Sequence, residues 1–151
     1  RTVSVSQKKT HKSADALHGA DAEIRLSAPG KYVLDGGKRE VCLKIFPVEK
    51  NLQIPKKMYT KWFDYDKIKD SLAIRNRRKG DYFVLDAAGH HKKLEDYFVN
   101  EKIPASHRDE QLLLAGEDEI FWIVGGRMAY GTGISDATRW VLEITASNSS
   151  H

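Results

Sequence analysis

The chain has 151 residues, with 25 Lys and Arg, 21 Asp and Glu and a single cysteine. This length suits one domain, or one domain with a smaller appendage, and buries enough surface to need no disulfide or metal. One cysteine excludes an internal disulfide framework, and no apolar run approaches the length of a membrane-spanning helix. The net charge of +4 favours an anionic partner only where the cations cluster. We expect a cytoplasmic protein without a membrane partner.

The first 55 residues predict an arm and a small sheet. Residues 1–22 are polar and show no hydrophobic periodicity, which predicts a flexible arm. Residues 23–55 hold three short alternating runs separated by glycine-containing turns, which predicts a small antiparallel sheet and a connector. The segment Asn51 to Lys57 is the predicted domain boundary. Since the sequence begins at Arg1 without an initiator Met, we expect a fragment or a processed product.

The main domain is predicted to span residues 56–146, with residues 147–151 as a polar tail. Its first element is a strand from Met58 to Phe63. A short helical turn follows, and Asp64 or Asp66 is expected to cap it by accepting backbone N–H bonds.

The first basic cluster lies at the end of a predicted strand, Ser71 to Arg77. Strand alternation places Arg75 and Arg77 on one face and the aliphatic side chains on the other. Residues 78–81, Arg-Lys-Gly-Asp, have the composition of a turn. The cluster is therefore predicted to stand at a hairpin tip.

The second basic cluster is Lys92-Lys93, which follows the short predicted strand Tyr82 to Leu85. A helix is predicted from Lys93 to Val99. Two lysines at a helix N-terminus oppose the helix dipole, so helix energetics alone would not select them. With the free N–H groups of that terminus they suit an incoming phosphate. The two clusters together predict contact with a phosphate-bearing partner.

The remaining residues predict further strands. A polar turn at Ser106 to Glu110 precedes a buried hairpin over residues 111–124. A loop from Tyr130 to Thr138 leads into a last alternating strand, Arg139 to Ile144. The predicted fold class is α+β, mostly antiparallel strands with one or two short helices.

Residues with catalytic or metal-binding chemistry are sparse. His90 and His91 have no Cys or carboxylate at a recognised ligand spacing. His107 is expected in a surface turn, and Cys42 is expected to be a small buried hydrophobe without a basic neighbour. Neither a glycine-rich phosphate loop nor a GxSxG motif occurs. We therefore predict no catalytic residue, no metal site and no cofactor in this chain.

Four motif blocks stand in a fixed order within about Tyr59 to Ile144. They are Arg75-x-Arg77-x-x-Gly80-Asp81, Lys92-Lys93-Leu94-x-x-x-Phe98-x-x-x-Lys102-Ile103-Pro104, Arg108-Asp109, and Trp122-x-Val124-Gly125-x-Arg127. Any one block is weak, but the ordered set resembles the C-terminal domain of bacterial tRNA(Ile)-lysidine synthetase. The resemblance implies a fold shared with a domain of the phenylalanyl-tRNA synthetase β subunit.

The resembled family uses ATP and lysine to convert the wobble cytidine of an isoleucine tRNA to lysidine. Its catalytic domain carries an SGGxDS-type motif, and these 151 residues contain none. The resemblance therefore implies no catalytic role for any residue here. It implies that ATP and Mg belong to a separate catalytic domain, and that isoleucine tRNA is the partner, held near its acceptor stem. A homodimer through the full-length protein stays open.

Nine cations are the candidate RNA-binding residues that the resemblance and the two basic clusters indicate together. Proteins read double-helical RNA through its phosphates, 2′-hydroxyls and shape, which suits such side chains. Gly80 and Asp81 are assigned to closing the turn, and Glu95 departs from a lysine often found there in the family. Four aromatic residues, Trp62, Phe83, Phe98 and Trp122, are expected in the core. The nine candidates are Arg75, Arg77, Arg78, Lys79, Lys92, Lys93, Lys102, Arg108 and Arg127.

Two other functions remain open from the sequence. The first is a protein-interaction or folding domain whose basic turns serve only solubility. The second is a self-contained enzyme, which the missing motifs disfavour.

Overall fold

The computed structural model describes residues 23–68 and 72–148. Within them two four-stranded antiparallel sheets pack face to face, and a two-stranded hairpin and a helix cover the outer face of one sheet. Sheet 1 has the order β1-β5-β8-β9, sheet 2 has the order β2-β3-β10-β4, and β6-β7 is the hairpin. The strands are β1 Glu23–Arg25, β2 Gly30–Leu34, β3 Arg39–Pro47, β4 Thr60–Asp64, β5 Ala73–Arg75, β6 Tyr82–Val84, β7 His91–Lys93, β8 Leu113–Ala115, β9 Ile120–Ile123 and β10 Trp140–Asn148.

Three short α-helices join these strands: α1 Tyr65–Ile68, α2 Leu94–Asn100 and α3 Ala105–Arg108. The Asp66 N–H donates to the Asp64 carboxylate at 3.1 Å, so Asp64 caps α1 as the sequence predicted. A 3-10 turn at Asp35–Gly37 links β2 to β3.

The main core lies between the two sheets. Strand alternation places Ile74, Leu114 and Trp122 of sheet 1 on the face that meets Leu43 and Leu142 of sheet 2. All of these side chains are buried, and each contributes on the order of 2–3 kcal/mol through the removal of apolar surface from water. The nine-residue pairing of β3 with β10 forms the centre of sheet 2.

A second core covers the opposite face of sheet 1. Phe83 of the hairpin, with Leu94 and Phe98 of α2, packs on Leu113 and Ile123 of the sheet. Both faces of sheet 1 are therefore buried. This layering decides where the charged residues of β5 can point.

The predicted α+β fold is confirmed, and so are its main elements. The helix predicted from Lys93 to Val99 is α2, and the hairpin predicted over residues 111–124 is β8–β9. The loop over residues 130–138 contains no regular helix or strand.

Two expected boundaries differ from the structure. Strands on both sides of the expected division near residue 55 share both sheets, because β1 pairs with β5 and β3 pairs with β10. The expected tail from residue 147 is instead part of β10 as far as Asn148, which pairs with Arg39. The expected arm at residues 1–22 and the end of the tail lie outside the described residues. Among those described, no helix has the length and apolarity needed to cross a membrane.

Candidate nucleic-acid interface

Arg75 is the centre of a buried ion pair. Its Nη1 and Nη2 donate to the two carboxylate oxygens of Asp81 at 3.0 and 2.9 Å. Further bonds run to the carbonyls of Asn76 and Glu117, at 3.0 and 2.9 Å. The guanidinium lies on the face of sheet 1 that the second core covers, and the residue has no solvent exposure. The prediction that Arg75 contacts RNA is therefore wrong.

Asp81 forms hydrogen bonds with the first basic cluster and with the residue that follows the second. Its Oδ2 also accepts the N–H of Arg78 at 2.7 Å, which closes the turn. Its backbone carbonyl accepts the N–H of Leu94, the first residue of α2, at 3.0 Å. The next residue, Tyr82, is the register partner of Lys93. Two clusters that stand thirteen or more residues apart in sequence are thus neighbours in space.

The turn requires a glycine at position 80. Its φ of +92° lies in the region that side chains rarely adopt. The glycine therefore lets Asp81 turn back towards Arg78, whose carbonyl accepts the Asp81 N–H at 3.2 Å.

Two arginines of the first cluster carry acidic partners. Arg77 Nε donates to Asp109 Oδ1 at 2.7 Å, and Arg78 pairs with Glu23 of β1. Both guanidinium groups are partly shielded, so each presents less net charge to a partner than the sequence indicated. They remain at the surface, unlike Arg75.

The lysines of the two clusters present the least-compensated charge. Lys79 and Lys93 are exposed, and Lys92 is half-buried. Lys92 and Lys93 line a concavity of about 540 Å³ together with His91, Asp96 and Asn100. Asp96 reduces the positive charge there. Lys93 is the N-cap residue of α2 and makes no side-chain capping bond, and its positive charge is unfavourable at the positive end of the helix dipole.

The other three predicted cations lie around the same helix. Lys102 follows the end of α2 and has a left-handed backbone with φ +57°. Arg108 Nε donates to the carbonyl of Ile103 at 2.9 Å, and its guanidinium lies 5.9 Å from the centre of the Phe98 ring. Arg127 lies 5.5 Å from the centre of the Phe83 ring. The guanidinium groups of both arginines lie over aromatic rings of the second core. Seven helical residues span about 10 Å, so the cations at the two ends of α2 are close enough for one RNA helix.

The four aromatic residues expected in the core are buried there. Tyr97 lies on the same helix as Phe98, and its ring packs edge-on against Phe83 at 5.7 Å. Burial, with a smaller effect from Glu101, raises the pKa of the Tyr97 phenol above its ordinary 10.0. Sequence reasoning missed Tyr59, which is half exposed beside Gly125. Tyr59 lies within the strand predicted from Met58 to Phe63, and no motif in the sequence distinguished it.

The histidine pair separates in the structure. His90 Nδ1 contacts the Asp86 carboxylate at 2.9 Å, and His91 stacks on Tyr82 with ring centres 4.4 Å apart. Hydrogen bonds from the side chain and backbone of His90 hold the pKa of Asp86 below its ordinary value. In residues 23–68 and 72–148, no three His, Cys, Asp or Glu side chains come together as a metal site would require.

Residues 72–144 match the family model described as the TilS substrate C-terminal domain. This part of the chain therefore resembles a TilS C-terminal domain. The matched residues contain both basic clusters, the Arg75–Asp81 pair and α2.

Curated relatives agree with this assignment. The chain is 42% identical over 86 residues to the tRNA(Ile)-lysidine synthase of Caldanaerobacter subterraneus subsp. tengcongensis, which covers 57% of this chain and 18% of that protein. It is 37% identical over 98 residues to the enzyme of Clostridium perfringens, covering 65% and 21%. For Dehalococcoides mccartyi the identity is 30% over 122 residues, covering 81% and 26%. The chain thus spans about a fifth to a quarter of the length of these relatives.

A solved structure confirms the fold. A crystal structure of a TilS C-terminal domain superposes with a TM-score of 0.64 at 18% identity and covers 83% of this chain and 97% of that one. The superposed 83% of this chain is more than residues 72–144 alone could supply. Strands before residue 72 therefore belong to the common fold, in agreement with their pairing in both sheets.

Proposed function

We propose that this chain is the tRNA-binding C-terminal part of a tRNA(Ile)-lysidine synthase and contacts the acceptor-stem region of isoleucine tRNA. The observation that carries the proposal is the double attachment of Asp81, which holds the turn at residues 77–80 beside the start of α2. This attachment brings Lys79, Lys92 and Lys93 to one end of the helix. The names of the curated relatives support tRNA as the partner.

The arrangement of charge suits an RNA stem. The deep groove of A-form RNA hides the base edges, so proteins bind such stems through phosphates and 2′-hydroxyls. In this proposal the lysines at one end of α2 contact phosphates along one side of a duplex, together with Lys102, Arg108 and Arg127 around the rest of the helix. Arg77 and Arg78 contribute less, because Asp109 and Glu23 already compensate part of their charge. Arg75 is buried and does not contact the RNA in this proposal; its bonds to Asp81 hold the turn in place.

The lysidine reaction belongs to the parent protein in this proposal. ATP, Mg and lysine are bound by a separate catalytic domain, while this part holds the tRNA away from the anticodon. The parent is then an ATP-dependent ligase of the cytoplasm, and any homodimer forms through the full-length protein.

The test is filter binding of the chain to an isoleucine tRNA transcript. The double variant Lys79→Glu/Lys93→Glu reverses two exposed charges at the proposed interface. The matched control, Lys44→Glu/Lys56→Glu, reverses two exposed lysines outside both basic clusters; Lys44 lies on the outer face of sheet 2. We expect at least a tenfold loss of affinity for the first variant and less than a threefold loss for the control. Equal losses in both variants would contradict a localised interface.

The alternative function is a protein-interaction or folding domain with solubilising turns. The ion pairs of Arg77 and Arg78 favour it, since they compensate charge that an RNA would otherwise use. The same experiment separates the two, because this alternative predicts no saturable binding of tRNA by the wild-type chain.

A further inference from the structure

A second concave site lies between the edges of the two sheets, outside the cations discussed above. It is a cleft of about 540 Å³. Its apolar floor is formed by Leu112, Val124 and Ala146, all buried residues. Its rim carries the ring of Tyr59, the guanidinium of Arg39 and the imidazole of His107. This volume and this mixture of an apolar floor with a few polar groups are typical of small-molecule sites.

Hydrogen bonds hold the walls of the cleft in place. Arg39 Nη1 donates to the Glu110 carbonyl at 3.2 Å, which joins β3 to the segment after α3. The amide of Gln111 donates to the carbonyls of Leu112 and Val124 at 2.9 and 2.8 Å. These bonds satisfy the backbone at the wall, so the cleft is formed before any ligand enters.

Tyr59 supplies an aromatic surface to the cleft. Its side chain is 51% exposed, yet its position is fixed on two sides. The Tyr59 carbonyl accepts the N–H of Ala146 at 2.9 Å. The ring lies so close to Gly125 that a Cβ there would stand 2.8 Å from Tyr59 Cε1. A half-exposed ring that is held against the backbone loses little freedom when a flat group stacks on it.

The cleft adjoins the first basic cluster. Asp109, the partner of Arg77, directly precedes Glu110 of the cleft wall. Asn76, next to Arg77, donates its side-chain amide to the Gln111 carbonyl at 3.2 Å. A nucleic acid that contacts Arg77 therefore passes beside the cleft.

We propose that this cleft binds an unpaired nucleotide of the RNA, with its base stacked on Tyr59 and its phosphate facing Arg39 and His107. The inference rests on the proposed function and adds a second class of contact to it. Proteins bind unpaired bases by stacking on exposed aromatic rings, with a cation for the backbone. Trp62, Phe83, Phe98 and Trp122 are all buried and cannot serve this purpose. Of the exposed aromatic residues in the described part of the chain, Tyr59 is the one that lines the cleft.

The test is an NMR titration of the ¹⁵N-labelled chain with a single-stranded pentaribonucleotide. We expect saturable shifts of the amide signals of Gln111, Leu112, Val124 and Ala146. Tyr59→Ser should weaken this binding about tenfold, and Tyr59→Phe should retain it, because stacking needs the ring and not the hydroxyl. The matched control is Tyr130→Ser, since Tyr130 is 53% exposed and does not line the cleft. The same variants are measured for tRNA binding by filter assay.

The outcomes separate this inference from the proposed function. Absence of saturable shifts at the cleft, or equal affinity for Tyr59→Ser and wild type, overturns the nucleotide site. If tRNA binding still depends on Lys79 and Lys93 in that case, the proposed function stands without it. Shifts at the cleft without any tRNA binding by the wild-type chain would overturn the proposed function instead.

Discussion

Asp81 holds Arg75 by two parallel hydrogen bonds, at 3.0 and 2.9 Å, in a site where neither side chain reaches solvent. The pair lies where the basic turn, sheet 1 and the start of α2 meet. An arginine in a basic run thus holds the turn in place from within the fold, and Lys79 and Lys93 stay exposed at the surface.

The first prediction concerns this pair. Arg75→Leu leaves the Asp81 carboxylate buried without its partner, and should lower the free energy of unfolding by about 3–5 kcal/mol. Urea denaturation of the chain measures the change. Arg75→Met/Asp81→Leu removes both charges and should recover much of the loss.

The control for that prediction is Arg77→Leu. The Asp109 side chain of this ion pair is largely exposed to solvent. Arg77→Leu should therefore lower the free energy of unfolding by at most about 1 kcal/mol. Similar losses for Arg75→Leu and Arg77→Leu would mean that the buried pair does not stabilise the turn.

The second prediction concerns Gly125. Its φ of +84° and the contact with Tyr59 both oppose a side chain, so Gly125→Ala should destabilise the chain by roughly 1–3 kcal/mol. Gly133→Ala is the control, because the added Cβ meets only ordinary contact with Met128 at 3.9 Å and its φ is not positive. Thermal denaturation compares the two, and a smaller effect at Gly125 than at Gly133 would contradict the close approach.

The third prediction concerns the turn before β7. The pKa of the Asp86 carboxyl is held below 3.8, first by the side-chain hydrogen bond from His90 and then by its backbone N–H. A carboxyl with a lowered folded-state pKa stabilises the fold above its unfolded-state pKa and loses that effect as the pH falls through the folded-state value. NMR titration of the side-chain carboxyl carbon should show Asp86 titrating below 3.8, and His90→Ala should raise its midpoint. An unchanged midpoint in the variant would show that His90 is not the cause.

Local patterns were enough to predict several elements. The helical spacing of Leu94 and Phe98 predicted α2 within one residue at each end, and the apolar run around Trp122 predicted the hairpin β8–β9. Asp81 was assigned to closing the turn, and its carboxylate does accept the Arg78 N–H.

Long-range packing explains what the sequence did not predict. Strand alternation placed Arg75 on the non-aliphatic face of β5, but whether that face meets water depends on residues 83–98, which cover it. The strand pairing across the expected boundary near residue 55 is also long-range, since β1 pairs with β5 across 48 residues or more of chain. The cleft beside Tyr59 forms from segments between residues 39 and 147, which no local motif connects.

The most direct test of the proposed interface is the salt dependence of tRNA binding. If about four phosphates are contacted, the logarithm of the association constant should fall with the logarithm of salt concentration at a slope of roughly −3 to −4. Lys79→Glu/Lys93→Glu should reduce the steepness by about 2, whereas Lys44→Glu/Lys56→Glu should leave it within about 0.5 of wild type. A slope near zero for the wild-type chain, or the same reduction in both variants, would contradict an RNA interface formed by the cations around α2.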